Sequence, residues 1–449
     1  MNLTRPTAIE LFCGAGGTSV GFEQAGFDVR VGLDFDPAAT ATFQQNHPNA
    51  VAITENVEKA SGKELLKAAK LEEVNVLLGG PSCQGYSTHG KRIQDDPRNF
   101  LFTEYTRLVG EIRPKWLVFE NVRGMLYYGK GKFLQKLKAE LEKLGYKITY
   151  SILNAADYGV PQRRERLIII GSRVGVEPSL PRATHHDPRC TQCSRPDRSN
   201  KIRGPGGLLP GMEVCTHCDG TGQEPTDNLE TKPWVSLWEA IGDLPTIGDV
   251  GGTDDFVPYE REPFSEYQRR MREGAQGYDM HSAKKVSSLA FEIISKIPEG
   301  KGLRAIPPSE MPARFKQMRT VKNGSLRKDC TTLYYRLERG LPSYTITCYF
   351  KNVSSGAFTH PLANRAITVR EAARLQSFPD WFRFSPNSVP RQIGNAVPPV
   401  LAEALGRHIL SLMADKNVTR SRKKVSSKEA ELQDAYVAGN IITTSAPDS

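Results

Sequence analysis

A lone thiol, a carboxylic acid and a run of guanidiniums supply the reactive groups of this chain, and each adjoins an apolar stretch. Cys83 lies in Gly79-Gly80-Pro81-Ser82-Cys83-Gln84-Gly85-Tyr86-Ser87, directly after Val74-Asn75-Val76-Leu77-Leu78. That apolar stretch has the length and β-branched content of a buried strand, and two glycines with a proline stop it in a tight loop. Glu120 ends Trp116-Leu117-Val118-Phe119, and a carboxylate closing a fully apolar strand is costly unless it is paired or functional. Arg163, Arg164 and Arg166 precede Leu167-Ile168-Ile169-Ile170. A thiolate nucleophile, an acid and cations that keep the thiol ionised could together attack an electrophile covalently while protonating it. Taken singly, a cysteine is by default a small buried hydrophobe and an arginine a surface ion-pair partner of little worth. Their company along the chain shifts that balance.

The elements that must hold these groups follow a strand–helix rhythm. Ala8-Ile9-Glu10-Leu11-Phe12 reads as a strand, Cys13-Gly14-Ala15-Gly16-Gly17-Thr18 as a glycine loop, and the stretch to Gly26 as a helix. Such a loop lets backbone approach a ligand at a helix N-terminus. A second strand ends at Asp34, placed to bind a ribose hydroxyl. The ligand is then a dinucleotide or an adenosyl cofactor, and Ser19 stands where the dinucleotide fingerprint has its third glycine. A third strand leads to Cys83. Phe100, Leu101, Tyr105, Leu108, Val109 and Ile112 recur at helical spacing, as do Phe133, Leu137, Leu141 and Leu144. The alternation predicts an α/β fold with a doubly wound, mostly parallel sheet, and its ligand crevice lies outside the carboxyl ends of the strands.

The chain of 449 residues is long enough for two or three domains, and its 39% hydrophobic and 24% charged residues are ordinary for a soluble protein. No apolar run reaches membrane-spanning length, and Ile9-Glu10-Leu11-Phe12 reads as a strand where a signal peptide would lie. The net charge of +10 favours a polyanionic partner, with basic clusters at Arg269-Arg270-Met271-Arg272 and from Arg314 to Lys328. Cys190 and Cys193 form one C-x-x-C pair and Cys215 and Cys218 another, with 21 residues between them. That separation lies just beyond zinc-ribbon spacing, and four-thiolate structural zinc is the preferred reading over free thiols or redox pairs. His185, His186 and His217 are read as exposed loop histidines. Metal-type cysteine spacing indicates a reducing, cytoplasmic home.

Six segments, in this order, resemble the DNA (cytosine-5) methyltransferases. They are Phe12 to Gly17, Pro81 to Ser87, Glu120-Asn121-Val122, Gln162-Arg163-Arg164-Glu165-Arg166, Arg370 to Pro379, and Gln392-Ile393-Gly394-Asn395-Ala396-Val397-Pro398-Pro399. The resemblance implies S-adenosylmethionine bound by Phe12, Gly14 and Gly16, with Asp34 on the ribose and Phe35 against the adenine. Val57, Pro81 and Asn395 complete that set, Asn395 in a segment that closes the cofactor side of the sheet. Asn56 stands where the family has an aspartate for the adenine amino group, and Ser82 where it commonly has a proline. The implied reaction is methyl transfer to C5 of a cytosine flipped out of double-stranded DNA. Cys83 adds to C6, Glu120 in its acid form serves N3, and Arg166 with Arg164 binds the O2 edge or a nearby phosphate.

The resemblance also implies a monomer, associated with DNA and working beside a restriction or defence system. It divides the chain into a catalytic domain at 1–171, a smaller, irregular target recognition domain at 172–366 and closing segments at 367–414; the cysteine spacing puts the zinc clip at 190–218 in the second, and polar, aperiodic composition makes 415–449 a disordered tail. Lys322 to Asn352 is the implied source of base contacts. Within the middle region, His281 to Ile297 reads as a helix, and Leu333 to Leu337 and Tyr344 to Thr347 as strands. Thr368 caps a helix to Ser377, and Val400, Leu401, Ala404, Leu405, Ile409 and Leu412 mark a last amphipathic helix. Three other readings compete: an RNA cytosine-5 methyltransferase, a catalytically silent DNA-binding regulator, and a nicotinamide dehydrogenase. The last gives Cys83 and Glu120 no role.

Overall fold

The computed structural model describes residues 5–81, 101–127, 131–189, 231–307, 309–313, 315 and 332–414. The expected tail at 415–449 lies outside them, as does the part of the expected base-reading stretch from 322 to 331. Seven strands make one sheet: β1 (Thr7–Leu11), β2 (Asp28–Asp34), β3 (Val51–Thr54), β4 (Val76–Gly79), β5 (Trp116–Val122), β6 (Lys147–Asn154) and β7 (Glu165–Ser172). Their spatial order is β3-β2-β1-β4-β5-β7-β6. The first five strands are parallel, whereas β7 runs antiparallel to both of its neighbours.

Alternation along the strands sends side chains to two opposite cores. Ile9, Leu11, Val31, Leu33, Leu77, Leu117, Phe119, Leu167 and Ile169 face one way. They meet the buried stripes of α2 (Gly62–Ala69), α3 (Leu101–Ile112) and α4 (Lys132–Lys143). Ala8, Val29, Val76, Leu78, Trp116, Val118, Ile168 and Ile170 face the other way, toward α1 (Gly17–Ala25) and the apolar residues of 367–409. Each large apolar side chain so buried contributes about 1.5–3 kcal/mol. The doubly wound sheet expected from the sequence is therefore present, closed at one side by the antiparallel β6–β7 pair.

Residues 399–414 form the expected last helix. It crosses α1 closely: a Cβ on Gly21 would lie 2.5 Å from Ala402 Cβ and 2.6 Å from Glu403 N. Only glycine permits that approach. Val369–Leu375 is helical behind the Thr368 cap, with Glu371 completing a capping box.

Four sequence expectations need correction. The strand before Cys83 is the fourth of the sheet, not the third, because β3 precedes it; β3 is a four-residue edge strand without a buried face, and it carries no pattern to read. In the stretch from His281 to Ile297, His281–Ala283 is a strand and only Ser288–Ile294 is helical, started by the Ser287 cap. Leu333 to Leu337 and Tyr344 to Thr347 are irregular, joined to the rest through isolated bridges at Arg336 and Ser343. Their alternating apolar residues pack as loops. His185 and His186 are half-buried in a short parallel ladder with Lys232–Pro233, not exposed loop residues.

Candidate active site

The sheet register assembles the site. Leu11 pairs with Leu33 and with Gly79, and Gly79 with Phe119, so the ends of β1, β2 and β4 lie in one row with the middle of β5, where its parallel pairing stops. The residues next along these strands are Phe12, Asp34, Gly80 and Glu120. Because β7 is antiparallel, it starts where the parallel strands end, and Arg166 pairs with Val122. One edge therefore receives the glycine loop, the stem of the Cys83 loop, Glu120 and Arg166. Cys83 itself lies outside the described residues.

The glycine loop turns through left-handed backbone at Phe12 (φ 57°), Gly14 (φ 52°) and Gly16 (φ 94°). Asp34 holds it: Gly14 N–H donates to Oδ2 at 2.9 Å, and Asp36 N–H to Oδ1 at 3.0 Å. Burial raises the Asp34 pKa, partly offset by those backbone donors. Beside it, Phe35 is 70% exposed, a large aromatic face left to solvent at a strand end. Asn56 is exposed and Val57 buried on the next loop. Asn56 Oδ1 accepts from Glu58 N–H at 3.2 Å. From the far end of the chain, Val397 O and Ala396 Cβ would lie 2.6 and 3.2 Å from a Cβ on Gly17. The exposed Asn395 thus stands one residue before backbone that packs on the glycine loop.

Glu120 receives Arg166 Nε at 2.9 Å. Burial raises its pKa, opposed by Arg166 and then Arg164, so its acid form is easier to reach than in a free glutamate. A Cβ on Gly80 would lie 3.1 Å from Glu120 Oε2, so the chain entering the Cys83 loop runs directly over the carboxylate. Sequence reasoning gives no role of its own to Asn121 of the Glu120-Asn121-Val122 segment, whose buried Nδ2 donates to Pro81 O at 3.0 Å and ties the loop stem to β5. Its local signal is a polar residue at the end of an otherwise apolar strand. Nor does it single out Glu10, buried under α1, which accepts from Ser19 N–H at 3.1 Å and from the Ser19 hydroxyl. Burial raises the Glu10 pKa to about 7 against the hydrogen bonds of Ser19 and Thr18.

Arg164 departs from expectation. It is 1% exposed, and both terminal nitrogens donate to backbone: Nη1 to Ile346 O, Nη2 to Gly394 O and Ala396 O, each at 3.0 Å. A guanidinium so engaged is a clamp on the protein's own carbonyls, not a contact to a base or phosphate. Arg163 stacks on Tyr344 with 4.3 Å from Cζ to the ring centre. Cys190, Cys193, Cys215, Cys218 and His217 lie outside the described residues. Among the described residues no group of three or more His, Cys, Asp or Glu side chains could hold a metal, and no helix is long and apolar enough to cross a membrane.

The family model for C-5 cytosine-specific DNA methylases matches residues 7–411. The chain belongs to that family. Its enzyme class is accordingly DNA (cytosine-5)-methyltransferase. The chain is 33% identical to the Type II methyltransferase M.AgeI of Thalassovita gelatinovora, over 89% of this chain and 98% of the relative. It is likewise 33% identical to M.XorII of Xanthomonas oryzae pv. oryzae, over 92% and 87%. A crystal structure described as a DNA modification methyltransferase encoded within a prophage in E. coli superposes with a TM-score of 0.63 at 22% identity. It covers 91% of this chain and 99% of that one, a likeness of fold.

Proposed function

We propose that the enzyme transfers a methyl group from S-adenosylmethionine to C5 of a cytosine flipped out of double-stranded DNA, through a covalent adduct with Cys83. The observation that carries this reading is the single sheet edge shared by the glycine loop, Asp34, Gly80-Pro81 and the Glu120–Arg166 pair. The residues present fit the cofactor: a cradle with left-handed glycines, a carboxylate beneath it and an exposed aromatic at the neighbouring strand end. Phe12, Gly14, Gly16, Asp34, Phe35, Asn56, Val57, Pro81 and Asn395 would hold it, and it supplies an electrophilic methyl group.

The chain's own residues would do the rest. Cytosine C5 is a weak nucleophile, so the Cys83 thiolate adds to C6 while Glu120, as the acid, donates to N3. The resulting enamine places electron density on C5, which takes the methyl group. Loss of the C5 proton to water, departure of Cys83 as thiolate and return of the N3 proton to the Glu120 carboxylate restore the aromatic ring. Arg166, ion-paired with Glu120, would steady that carboxyl and meet the O2 edge. Residues 1–171 and 367–414 would form the catalytic body, and 172–366 would read the target with the aid of a zinc clip at 190–218. The Type II methyltransferases among the relatives support DNA as substrate and a restriction-modification setting.

Bisulfite sequencing of DNA from cells expressing the protein tests this. Wild type should leave protected cytosines in one sequence context, and Cys83→Ala none, while the variant still binds S-adenosylmethionine. Glu120→Gln should slow methyl transfer by about 10²–10⁴-fold. Full activity in Cys83→Ala, or methylation of tRNA but not of duplex DNA, overturns the proposal.

A further inference from the structure

One buried side chain holds carbonyl groups from two distant parts of the sequence. The three bonds of Arg164 reach Ile346 O on one side and Gly394 O and Ala396 O on the other. The last two flank Asn395, beside the glycine loop, whereas Ile346 lies within the stretch assigned above to base contacts. A second tie runs parallel to the first. Gln162 Oε1 accepts from Ile346 N–H at 2.9 Å, and its Nε2 donates to Gln376 Oε1 at 2.5 Å. Gln376 Nε2 then donates to Ala396 O at 2.6 Å. The two segments also touch directly, because a Cβ on Gly394 would collide with backbone atoms of Thr347 and Cys348. All three polar side chains are buried, so neither segment can shift without breaking hydrogen bonds that water cannot replace.

We propose that Arg164 is a positioning residue that couples the two substrate sites, the Gln162–Gln376 pair serving as its second strut. Seating of DNA against the Ile346 segment would then set the loop around Asn395, and an occupied glycine cradle would in turn favour DNA. Such coupling is reciprocal by thermodynamic necessity. Arginine suits the task because its planar fork spans three acceptors in two directions, which the single ammonium of lysine does not. This inference rests on the assignment of the two segments given under Proposed function.

The test uses the full chain, S-adenosylhomocysteine as the probe and a duplex carrying the methylated site found by bisulfite sequencing. Calorimetry measures probe affinity with and without that duplex, and fluorescence anisotropy measures the reciprocal effect. In wild type the duplex should tighten the probe by about fivefold or more, matched by the reverse measurement. Arg164→Lys should reduce both factors to below about twofold, with a cooperative melt retained. Should that variant not fold, Gln376→Leu removes only the second strut and should at least halve the coupling. A variant that melts earlier with its coupling intact would mark a merely structural clamp and overturn the proposal. Loss of DNA affinity by the same factor at every probe concentration would mark a direct DNA contact, with the same consequence. If wild type methylates DNA but shows no coupling, this inference alone fails; if wild type leaves no methylated site, the functional reading fails first.

Discussion

The seven-stranded sheet and the region from 173 to 380 bury backbone polar groups by opposite means. In the sheet, ladders of four to eight residues pair carbonyls with amides, and apolar side chains fill both faces. Among the described residues of the later region the ladders are two or three residues long, and guanidiniums take over the carbonyls. Arg336 Nε donates to Ile297 O at 2.7 Å, Nη1 to His360 O and Ala363 O at 2.9 Å each, and Nη2 to Ile294 O at 2.6 Å. Arg374 bonds Ala240 O at 3.1 Å and pairs with Asp243 and Asp380. Five donors in a rigid fork can satisfy irregular backbone that no strand reaches. One region is thus held by many small apolar gains, the other by a few polar clamps.

The most severe way to break that comparison is Arg374→Met. It leaves Asp243 to Arg272 alone and Asp380 to Arg370 and Tyr259, and strips a cation from a fully buried cluster, at a cost of about 3–5 kcal/mol, a large share of a typical stability. The expected outcome is loss of soluble protein, or a melting point too low for assay. In the sheet, Leu117→Ala should cost about 3 kcal/mol through the cavity it opens. Denaturant melts should show a lower midpoint with a slope close to wild type. Equal, mild costs at both sites would contradict the distinction.

The same contrast explains what can be read from the sequence. Cys83, Glu120, Asp34 and the glycine loop each follow an apolar run, and a parallel sheet brings the ends of such runs together; the edge is therefore legible in the amino-acid order alone. Arg166 is legible for the same reason, since it precedes an apolar run. Arg164, two residues earlier, has the same residue type and the same neighbours in sequence. Its partners Ile346, Gly394 and Ala396 lie 182 or more residues away, and no local pattern announces a carbonyl at that distance. Leu333 to Leu337 mislead for a related reason. Arg336 in their midst is a clamp, and the surrounding apolar residues pack around it without an extended partner strand.

Buried carboxylates sharpen the comparison further, because the two regions treat them in opposite ways. Glu10, under α1, has only hydroxyl and amide donors, and burial lifts its pKa to about 7. Glu371 is equally buried, but Arg365 grips both of its oxygens at 2.8 Å and holds its carboxyl well below the usual range despite that burial. The signs follow. Stability tied to Glu10 is fully present below the ordinary glutamate pKa near 4.5 and is lost as pH rises through about 7. Stability tied to Glu371 is present above that ordinary value and is lost as pH falls through its depressed pKa. Glu10→Gln keeps one acceptor for Ser19 and removes the titration. Relative to this variant, wild type should lose on the order of 2–3 kcal/mol between pH 5 and pH 8.5. Parallel stability profiles for the two proteins would show that Glu10 does not titrate in this range.

The smallest expected effect lies where the two regions meet, at the Thr368 cap. Thr368 Oγ1 accepts Glu371 N–H at 3.1 Å, Glu371 Oε2 accepts Thr368 N–H at 2.7 Å, and the Thr368 hydroxyl also lies 3.0 Å from His281 Nδ1. Thr368→Ala removes the cap and one partner of a buried histidine, which should cost about 1–2 kcal/mol. Thr368→Ser keeps the oxygen and should recover most of that loss, since the Thr368 methyl group is a minor part of the contact. Urea melts of the two variants distinguish a hydrogen-bonded cap from simple packing, because only the former ranks serine close to threonine and far from alanine. If alanine and serine fall equally, the helix start at Val369 is held by its apolar neighbours, and this junction belongs with the sheet rather than with the clamped region.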